Sequence, residues 1–278
     1  MPSSVPVDRG PWTDWQEFAL PGKRSTLYET RREGEHIVMH AQADASASML
    51  RRKLNIDPTL LGRVQFSWQV ASLIEQADLS DADASDSPVR LVFAFDGDHS
   101  RLSARNRMLF ELAQVLTGEP PPYATLMYVW DNRAAMESVI PAPRTDRIRK
   151  IVLESGPGQC GRWLHYERDL QADFRRAFGE EPGQLIGVAL MTDADNTMSK
   201  SSGLYGEVRL LGRDGAVYVT EAAGNVQRID PKTGLLAPDP GGGRLEYFVD
   251  GTQPKEVAPA QGQAQASDFF VVDPSLKP

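Results

Sequence analysis

The sequence predicts a mainly β protein, an antiparallel β-sandwich with two short helices. Period-two alternation is clearest in Arg63–Val70, where every second residue is apolar, as in a strand with one buried face. Three nearly continuous apolar runs are typical of central strands buried on both faces: Val89–Phe95, Thr125–Trp130 and Leu185–Met191. Only two segments have a helical pattern, which favours a sandwich over an alternating α/β fold.

Further strands are predicted from shorter apolar or alternating stretches. They are Ser48–Leu54, Ile148–Leu153, Trp163–Tyr166 and Tyr205–Leu211.

The two helices are predicted from their caps and apolar spacing. Ser103 is expected to cap the first, which runs to Leu116 before Gly118. The second is expected from Asp169 to Phe178. The apolar stripe of the first helix consists of Met108, Leu109, Leu112, Val115 and Leu116.

The character of the chain changes after Leu211. Residues 1–211 are predicted to form the sandwich, and residues 212–278 a C-terminal extension of hairpins, part of it mobile. Gly- and Pro-rich turns there separate short strand-like pieces, Ala216–Thr220 and Leu245–Val249. Gln253–Ser267 is rich in Ala, Gln and Pro, which predicts the mobile part, and Phe269–Val272 is a candidate last strand.

Composition excludes several classes of function. The 278-residue chain carries a net charge of −8, which disfavours nucleic-acid binding. No apolar run approaches the roughly 20 residues that span a bilayer. Cys160 is the only cysteine, so an intrachain disulfide is excluded. The first residues have no signal-peptide pattern, so the chain is expected to be periplasmic or secreted if a signal was removed, and otherwise cytoplasmic.

A nucleotide cofactor is not expected. Gly156–Gly161 spells G-x-G-x-x-G, yet a strand-like segment follows it. The motif therefore offers a pyrophosphate no helix N-terminus.

An oxygen-rich loop follows the run Leu185–Met191. Asp193, Asp195 and Asn196 supply side-chain oxygens within four residues, and calcium requires about six to eight oxygen ligands. With Glu207 as a more distant ligand, they form a candidate calcium site. The alternative is an Asx-rich turn whose side chains cap their own backbone. A second acidic loop, between Asp78 and Asp86, is interpreted as mobile and solvated.

Three acids are candidate catalytic residues. Asp96 and Asp98 follow a strand, and carboxylates at i and i+2 of a strand lie about 6–7 Å apart on one face. That separation is close to the one that glycosidases use, and Glu154 is the third candidate. The alternative for Asp96 and Asp98 is an Asp-Gly turn leading into the helix that Ser103 caps.

Two groups are candidate ligand-binding residues. Trp130, Asp131 and Asn132 end an apolar strand, where an exposed ring could stack on a sugar beside polar side chains. A core tryptophan followed by a turn is the alternative. Arg144 and Asp146 belong to a basic segment that could hold an anionic substrate, or that forms a solvated strand face.

The chain resembles a bacterial family of domains of unknown function, family 3047, from about Phe18 to Leu211. The resemblance rests on Phe95–Asp98, Arg107–Leu112, Tyr128–Asn132, Pro143–Ile148, Val152–Gly156 and Leu190–Thr197. This family implies an identity but no activity.

A fainter similarity is to galactose-binding-like jelly rolls. It rests on the order of Trp163, the second helix, Leu185–Met191 and Tyr205–Glu207, with Glu207 in place of the usual Asp. It implies a sandwich that binds sugars and holds a structural calcium.

Three functions are consistent with these patterns. The first is binding of carbohydrate or another small polar ligand, with calcium or an Asx-rich turn at one rim. The second is a carbohydrate-active enzyme, a glycoside hydrolase or polysaccharide lyase, on the same fold. The third is a cell-envelope scaffold without a small ligand.

Overall fold

The computed structural model describes residues 10–220, 226–237, 246–247 and 255–256 and confirms the predicted β-sandwich. Two helices, α1 (Ala104–Thr117) and α2 (Leu170–Phe178), accompany the strands. The strands are β1 (Gln16–Ala19), β2 (Leu27–Glu33), β3 (His36–Asp44), β4 (Ala47–Ile56), β5 (Leu61–Val70), β6 (Ser87–Phe95), β7 (Ala124–Asp131), β8 (Val139–Ala142), β9 (Thr145–Ser155), β10 (Leu164–Asp169), β11 (Leu185–Asp193), β12 (Lys200–Tyr205), β13 (Arg209–Gly212), β14 (Val217–Thr220), β15 (Val226–Ile229), β16 (Glu246–Tyr247) and β17 (Lys255–Glu256).

Sheet A has the strand order β1-β4-β11-β6-β7-β9-β8. Its pairings are antiparallel except for β7 with β9, which run parallel. The strand β11 lies between β4 and β6, so it joins parts of the chain that are distant in sequence.

Sheet B has the order β15-β14-β13-β5-β12-β3-β2, and β10 also pairs with β5. Both β12 and β13 pair with β5, at Val70–Trp68 and at Gln65–Leu61 respectively. The predicted single strand Tyr205–Leu211 is therefore wrong, because the chain leaves the ladder between Tyr205 and Arg209. The Gly206 N–H still donates to Ser67 O at 2.9 Å within this break.

The main core lies between the two sheets. Large side chains that are fully shielded from solvent fill it, among them Trp12, Leu50, Trp68, Phe93, Phe95, Tyr128 and Leu190. The inward faces of β5 and β6 supply Trp68 and Phe93, as the alternation of β5 predicts.

The outer face of sheet A is also covered. Leu79, 1% exposed, packs in a second apolar cluster with Val92, Val129 and Met191. This explains why the runs of β6, β7 and β11 are apolar on both faces. The interpretation of the acidic loop as solvated is wrong for Asp86, which is only 1% exposed, and Leu79 anchors the loop. Asp81 and Asp83 are exposed as interpreted, and the mobility of the loop stays a prediction.

Both helices begin and end as predicted. Ser103 Oγ accepts from the Asn106 N–H at the start of α1, and Gly118 ends it in the left-handed conformation. Asp169 caps α2 by accepting from the Ala172 N–H at 2.9 Å, and Gly179 ends it.

The two helices differ in how they pack. Phe174 of α2 is buried against Phe95, with ring centroids 4.7 Å apart. The apolar stripe of α1 is instead largely exposed to solvent.

The C-terminal extension is only partly described. Strands β14 and β15 continue sheet B beyond β13, and β16 pairs with β17. The predicted mobile segment lies mostly outside the described residues, and Phe269–Val272 lies wholly outside them. Among the described residues, no helix combines the length and the apolar character needed to cross a membrane.

The two sheets are in close contact at Gly203 of β12. A Cβ atom there would lie 2.4 Å from Val89 Cγ1 and 2.7 Å from the Pro88 carbonyl oxygen. We expect Gly203→Ala to lower the free energy of unfolding by about 1–3 kcal/mol, the usual cost of overpacking. Urea denaturation measures it. Gly187→Ala is the matched control, because its Cβ would meet no atom closer than 3.5 Å; equal losses in both variants would contradict the prediction.

Candidate functional site

An open groove of about 930 Å³ crosses sheet B at the break between β12 and β13. The turn between β2 and β3 forms one side and β10 the other, while β5 and Gly206 form the floor. Its polar and aromatic lining includes Glu35, His36, Gln65, Ser67, Trp163, His165, Glu167, Glu207 and Arg209. Segments far apart in the sequence thus meet at one surface.

The floor is flat because Gly206 has no side chain. A Cβ atom at this position would lie 2.1 Å from Ser67 Oγ, so the serine hydroxyl would have to rotate away. The alternation of β5 places Gln65 and Ser67 on the same outward face. The floor therefore presents the amide of Gln65 and the hydroxyl of Ser67 to the groove.

The aromatic part of the groove is supported from below. Tyr166 stacks on Phe66 with ring centroids 5.1 Å apart, and its hydroxyl donates to Glu154 Oε1 at 2.7 Å. Burial raises the pKa of Tyr166, and the hydrogen bond to Glu154 raises this pKa further. Trp163, at the start of the β10 wall, is partly exposed.

The groove carries a modest excess of negative charge. Four glutamates line it against one arginine, Arg209; they are Glu33, Glu35, Glu167 and Glu207. Glu33 forms an ion pair with Arg31 at 3.0 Å and Glu167 one with Arg63, so Glu35 and Glu207 supply the excess charge. Glu167 accepts from Gln65 Nε2 at 2.6 Å and also bonds Arg63, and these hydrogen bonds lower the pKa of Glu167. Glu35 and Glu207 are exposed.

The predicted catalytic acids lie outside the groove lining. Asp98 accepts from Ser100 N at 3.0 Å and Oγ at 2.6 Å, which lowers the pKa of Asp98. Asp96 accepts from the Gly97 N–H at 2.8 Å. Both are exposed turn residues ahead of α1, as the alternative interpretation described. Glu154 is 8% exposed and holds the Tyr166 hydroxyl.

The predicted sugar-stacking residues are turned inward. Trp130 is 1% exposed and its Nε1 donates to Gly156 O at 3.0 Å. Asp131 accepts the N–H groups of the two turn residues that follow Asn132, at 2.7 and 2.6 Å. Asn132 Nδ2 donates to Ile74 O at 2.6 Å. The Trp130 ring is thus unavailable for stacking in this arrangement.

Arg144 and Asp146 do come together, in a separate hollow of about 360 Å³ beside the start of α1. Asp146 Oδ1 accepts from Asn106 Nδ2 at 2.5 Å, and Arg144 is exposed. Their predicted role in ligand binding stays a prediction.

The oxygen-rich loop forms part of a buried charge cluster. Carboxylate oxygens of Asp86, Asp193 and Asp195 lie within 4.8 Å of one another. Arg90 binds both oxygens of Asp193, through Nε and Nη2, each at 2.8 Å, and Lys23 bonds Asp195.

Asp86 accepts the N–H groups of Asn196 and Thr197. The sequence placed Asp86 in a separate acidic loop and gave no sign of Arg90, because neither lies near the oxygen-rich loop in the sequence.

This donor set does not fit a calcium ion as it stands. Arg90 and Lys23 already neutralise two of the three carboxylates, and Glu207 lies in the groove, outside the cluster. A calcium ion would have to displace the side chain of Arg90 or Lys23. The presence of calcium stays a prediction. Burial raises the pKa of Asp193 to about 6, while Arg90 acts in the opposite direction.

The comparisons with known proteins identify the family. Residues 13–209 match the model of a family described as a protein of unknown function, DUF3047. The chain belongs to this family. No curated protein matches the sequence.

Among solved structures, the chain is similar to the xyloglucanase domain of NopAA, a type three effector from Sinorhizobium fredii, in complex with cellobiose. The identity is 7% and the TM-score 0.39, over 72% of this chain and 99% of that one. This similarity is too low to support an argument about function.

Lys150, a buried lysine beside the charge cluster, gives the free energy of unfolding a specific pH dependence. Its Nζ donates to Leu79 O at 2.7 Å and to Ser85 Oγ at 3.1 Å. Burial, aided by Arg90, lowers the pKa of Lys150 from 10.5 to about 8. Between these pH values the unfolded chain binds the proton more often, so Lys150 makes the free energy of unfolding rise with pH.

Lys150→Met should remove this rise, by at most about 3 kcal/mol. Urea denaturation from pH 7 to pH 11 measures the difference from the wild type, with Lys200→Met as the control because the Lys200 side chain is 82% exposed. Parallel pH profiles of the wild type and Lys150→Met would contradict the assignment.

Proposed function

We propose that the protein binds carbohydrate in the groove on sheet B. One observation carries the proposal: of the five tryptophans, Trp163 lines this groove and is partly exposed. The other four are at most 2% exposed: Trp12, Trp15, Trp68 and Trp130. An accessible ring beside polar side chains is suited to a sugar, whose C–H face stacks while its hydroxyls form hydrogen bonds.

The polar lining supports the same proposal. Gln65 and Ser67 offer both donors and acceptors, and Glu207 offers acceptors. A sugar ring carries hydroxyl groups around its edge, so donors and acceptors on the floor and walls can be used together. The open shape of the groove suits an extended oligosaccharide.

A carbohydrate-active enzyme is the second candidate. It is favoured by one observation, that the exposed carboxylates of Glu35 and Glu207 share the groove. Hydrolysis of a glycosidic bond uses two carboxylic residues, one on each side of the bond. The acids predicted from sequence for this role lie elsewhere, so Glu207 is the first residue to test.

Trp163 provides the first test of binding. Because the other tryptophans are shielded, we expect a neutral oligosaccharide that fits the groove to change the intrinsic fluorescence through Trp163. Trp163→Ala should abolish this change and weaken binding by roughly ten-fold or more, about 1.4 kcal/mol. A panel of neutral oligosaccharides, titrated by fluorescence and calorimetry, measures both.

Arg144→Ala is the control, because Arg144 is exposed in the separate hollow and should leave binding unchanged. Affinity retained in Trp163→Ala but lost in Arg144→Ala would move the site to the hollow. Sugar release that Glu207→Gln abolishes while binding persists would support the enzyme.

The charge of the groove predicts selectivity among saccharides. We expect neutral and amino-sugar oligomers to bind, and uronic-acid oligomers to bind more weakly. With Glu33 and Glu167 paired to Arg31 and Arg63, the carboxylates of Glu35 and Glu207 outnumber the one lining arginine, Arg209. Glu207→Gln should reduce the ratio of the dissociation constants for uronic-acid and neutral oligomers several-fold, most strongly at low ionic strength. Calorimetry with matched oligomers at two salt concentrations checks this. A wild-type preference for uronic acids would contradict it.

A further inference from the structure

Helix α1 rests on the protein through its polar side. Asn106 is its one buried residue. The Asn106 amide donates to Asp146 at 2.5 Å and accepts from Thr145 Oγ1 at 2.9 Å. The half-buried residues Phe110, Ala113 and Thr117 follow it at i+4, i+7 and i+11, on the same helix face.

The opposite face of α1 is apolar and open to solvent. Met108, Leu112, Val115 and Leu116 are 63, 53, 81 and 59% exposed. Their spacing of i, i+4, i+7 and i+8 makes one continuous stripe, which a surface helix ordinarily turns toward the core. A contiguous apolar patch of this kind on a soluble protein marks an interaction surface.

The charged residues beside the stripe indicate what covers it. Arg107 and Glu111 are exposed, one helical turn apart, along the same edge of the stripe. When a two-fold axis relates two antiparallel helices, this edge of one helix faces the same edge of the other. Arg107 of each helix then meets Glu111 of the other, so this edge of the stripe is complementary to itself in charge.

The charge of the chain argues against an anionic membrane as the occupant. A net charge of −8 opposes docking on an anionic lipid surface. Two such chains also repel each other at long range, but the local Arg107–Glu111 pairing offsets this where the helices touch.

We propose that two copies of the chain associate through this face of α1, antiparallel, with Met108 of one copy beside Leu112 of the other. Such an interface is isologous, because the same patch serves both copies. One pair of helix faces is small beside the roughly 1,200 Å² of a stable complex, so the dimer is weak and reversible.

Sedimentation equilibrium of the full chain at increasing micromolar concentration tests the proposal. The wild type should pass from monomer to dimer, and Leu112→Glu should stay monomeric because it places a charge at the centre of the interface. Leu27→Glu is the matched control: Leu27 is 51% exposed, close to the 53% of Leu112, but lies on β2. It should associate like the wild type.

A charge exchange separates pairing from damage to the helix. Arg107→Glu alone should raise the dissociation constant several-fold, since the introduced carboxylate would meet Glu111 of the second copy. Adding Glu111→Arg should restore the wild-type dissociation constant, because each introduced carboxylate then meets an introduced arginine of the second copy. Circular dichroism confirms that each variant retains its helix.

Several results would overturn the proposal. They are a wild type that stays monomeric at every concentration, a Leu112→Glu variant that associates normally, and a double variant that is not restored. A monomeric wild type that co-sediments with phosphatidylcholine vesicles would assign the face to lipid instead.

Discussion

The buried ion pair of Arg90 and Asp193 holds together the segments that cover the outer face of sheet A. Two parallel hydrogen bonds of 2.8 Å join β6 to the end of β11, with both side chains 4% exposed. Arg90 also donates to Ser85 O at 2.7 Å, which attaches the acidic loop to the same pair. A buried charge left without its partner is strongly destabilising, so these segments are held together as a unit.

This unit covers one side of the molecule and leaves the other side open. The loop that carries Leu79 closes the outer face of sheet A. The outer face of sheet B is polar, as Gln65 and Ser67 on β5 illustrate. The accessible polar surface therefore lies on sheet B, where the break between β12 and β13 adds depth.

Local features of the fold were predictable from the sequence, because local spacing determines them. Ser103 and Asp169 satisfy backbone N–H groups within three residues, so they mark helix starts without tertiary information. The alternation of β5 and the apolar run of β11 likewise identified strands. The break at Gly206 was missed, because it arises from the divergence of neighbouring strands and not from a turn motif.

The candidate site was largely not predictable, because sheet order determines it. Glu207 and Trp163 were noted in the sequence, but nothing there places them beside His36, which arrives from the turn between β2 and β3. Trp130 ends a strand, and a residue at a strand end can be exposed or buried. Whether Trp130 is buried depends on how the second sheet packs over it, which the local sequence does not specify. Helical spacing identified the stripe of α1 but not the direction in which it points.

The position of β11 has a consequence for biosynthesis. The neighbours β4 and β6 each pair with β11 and not with one another, and β11 begins only at Leu185. A nascent chain therefore carries two unpaired strand edges on the ribosome until most of the sequence has been translated. Such edges can pair with other chains, so sheet A is exposed to wrong pairing until β11 closes it.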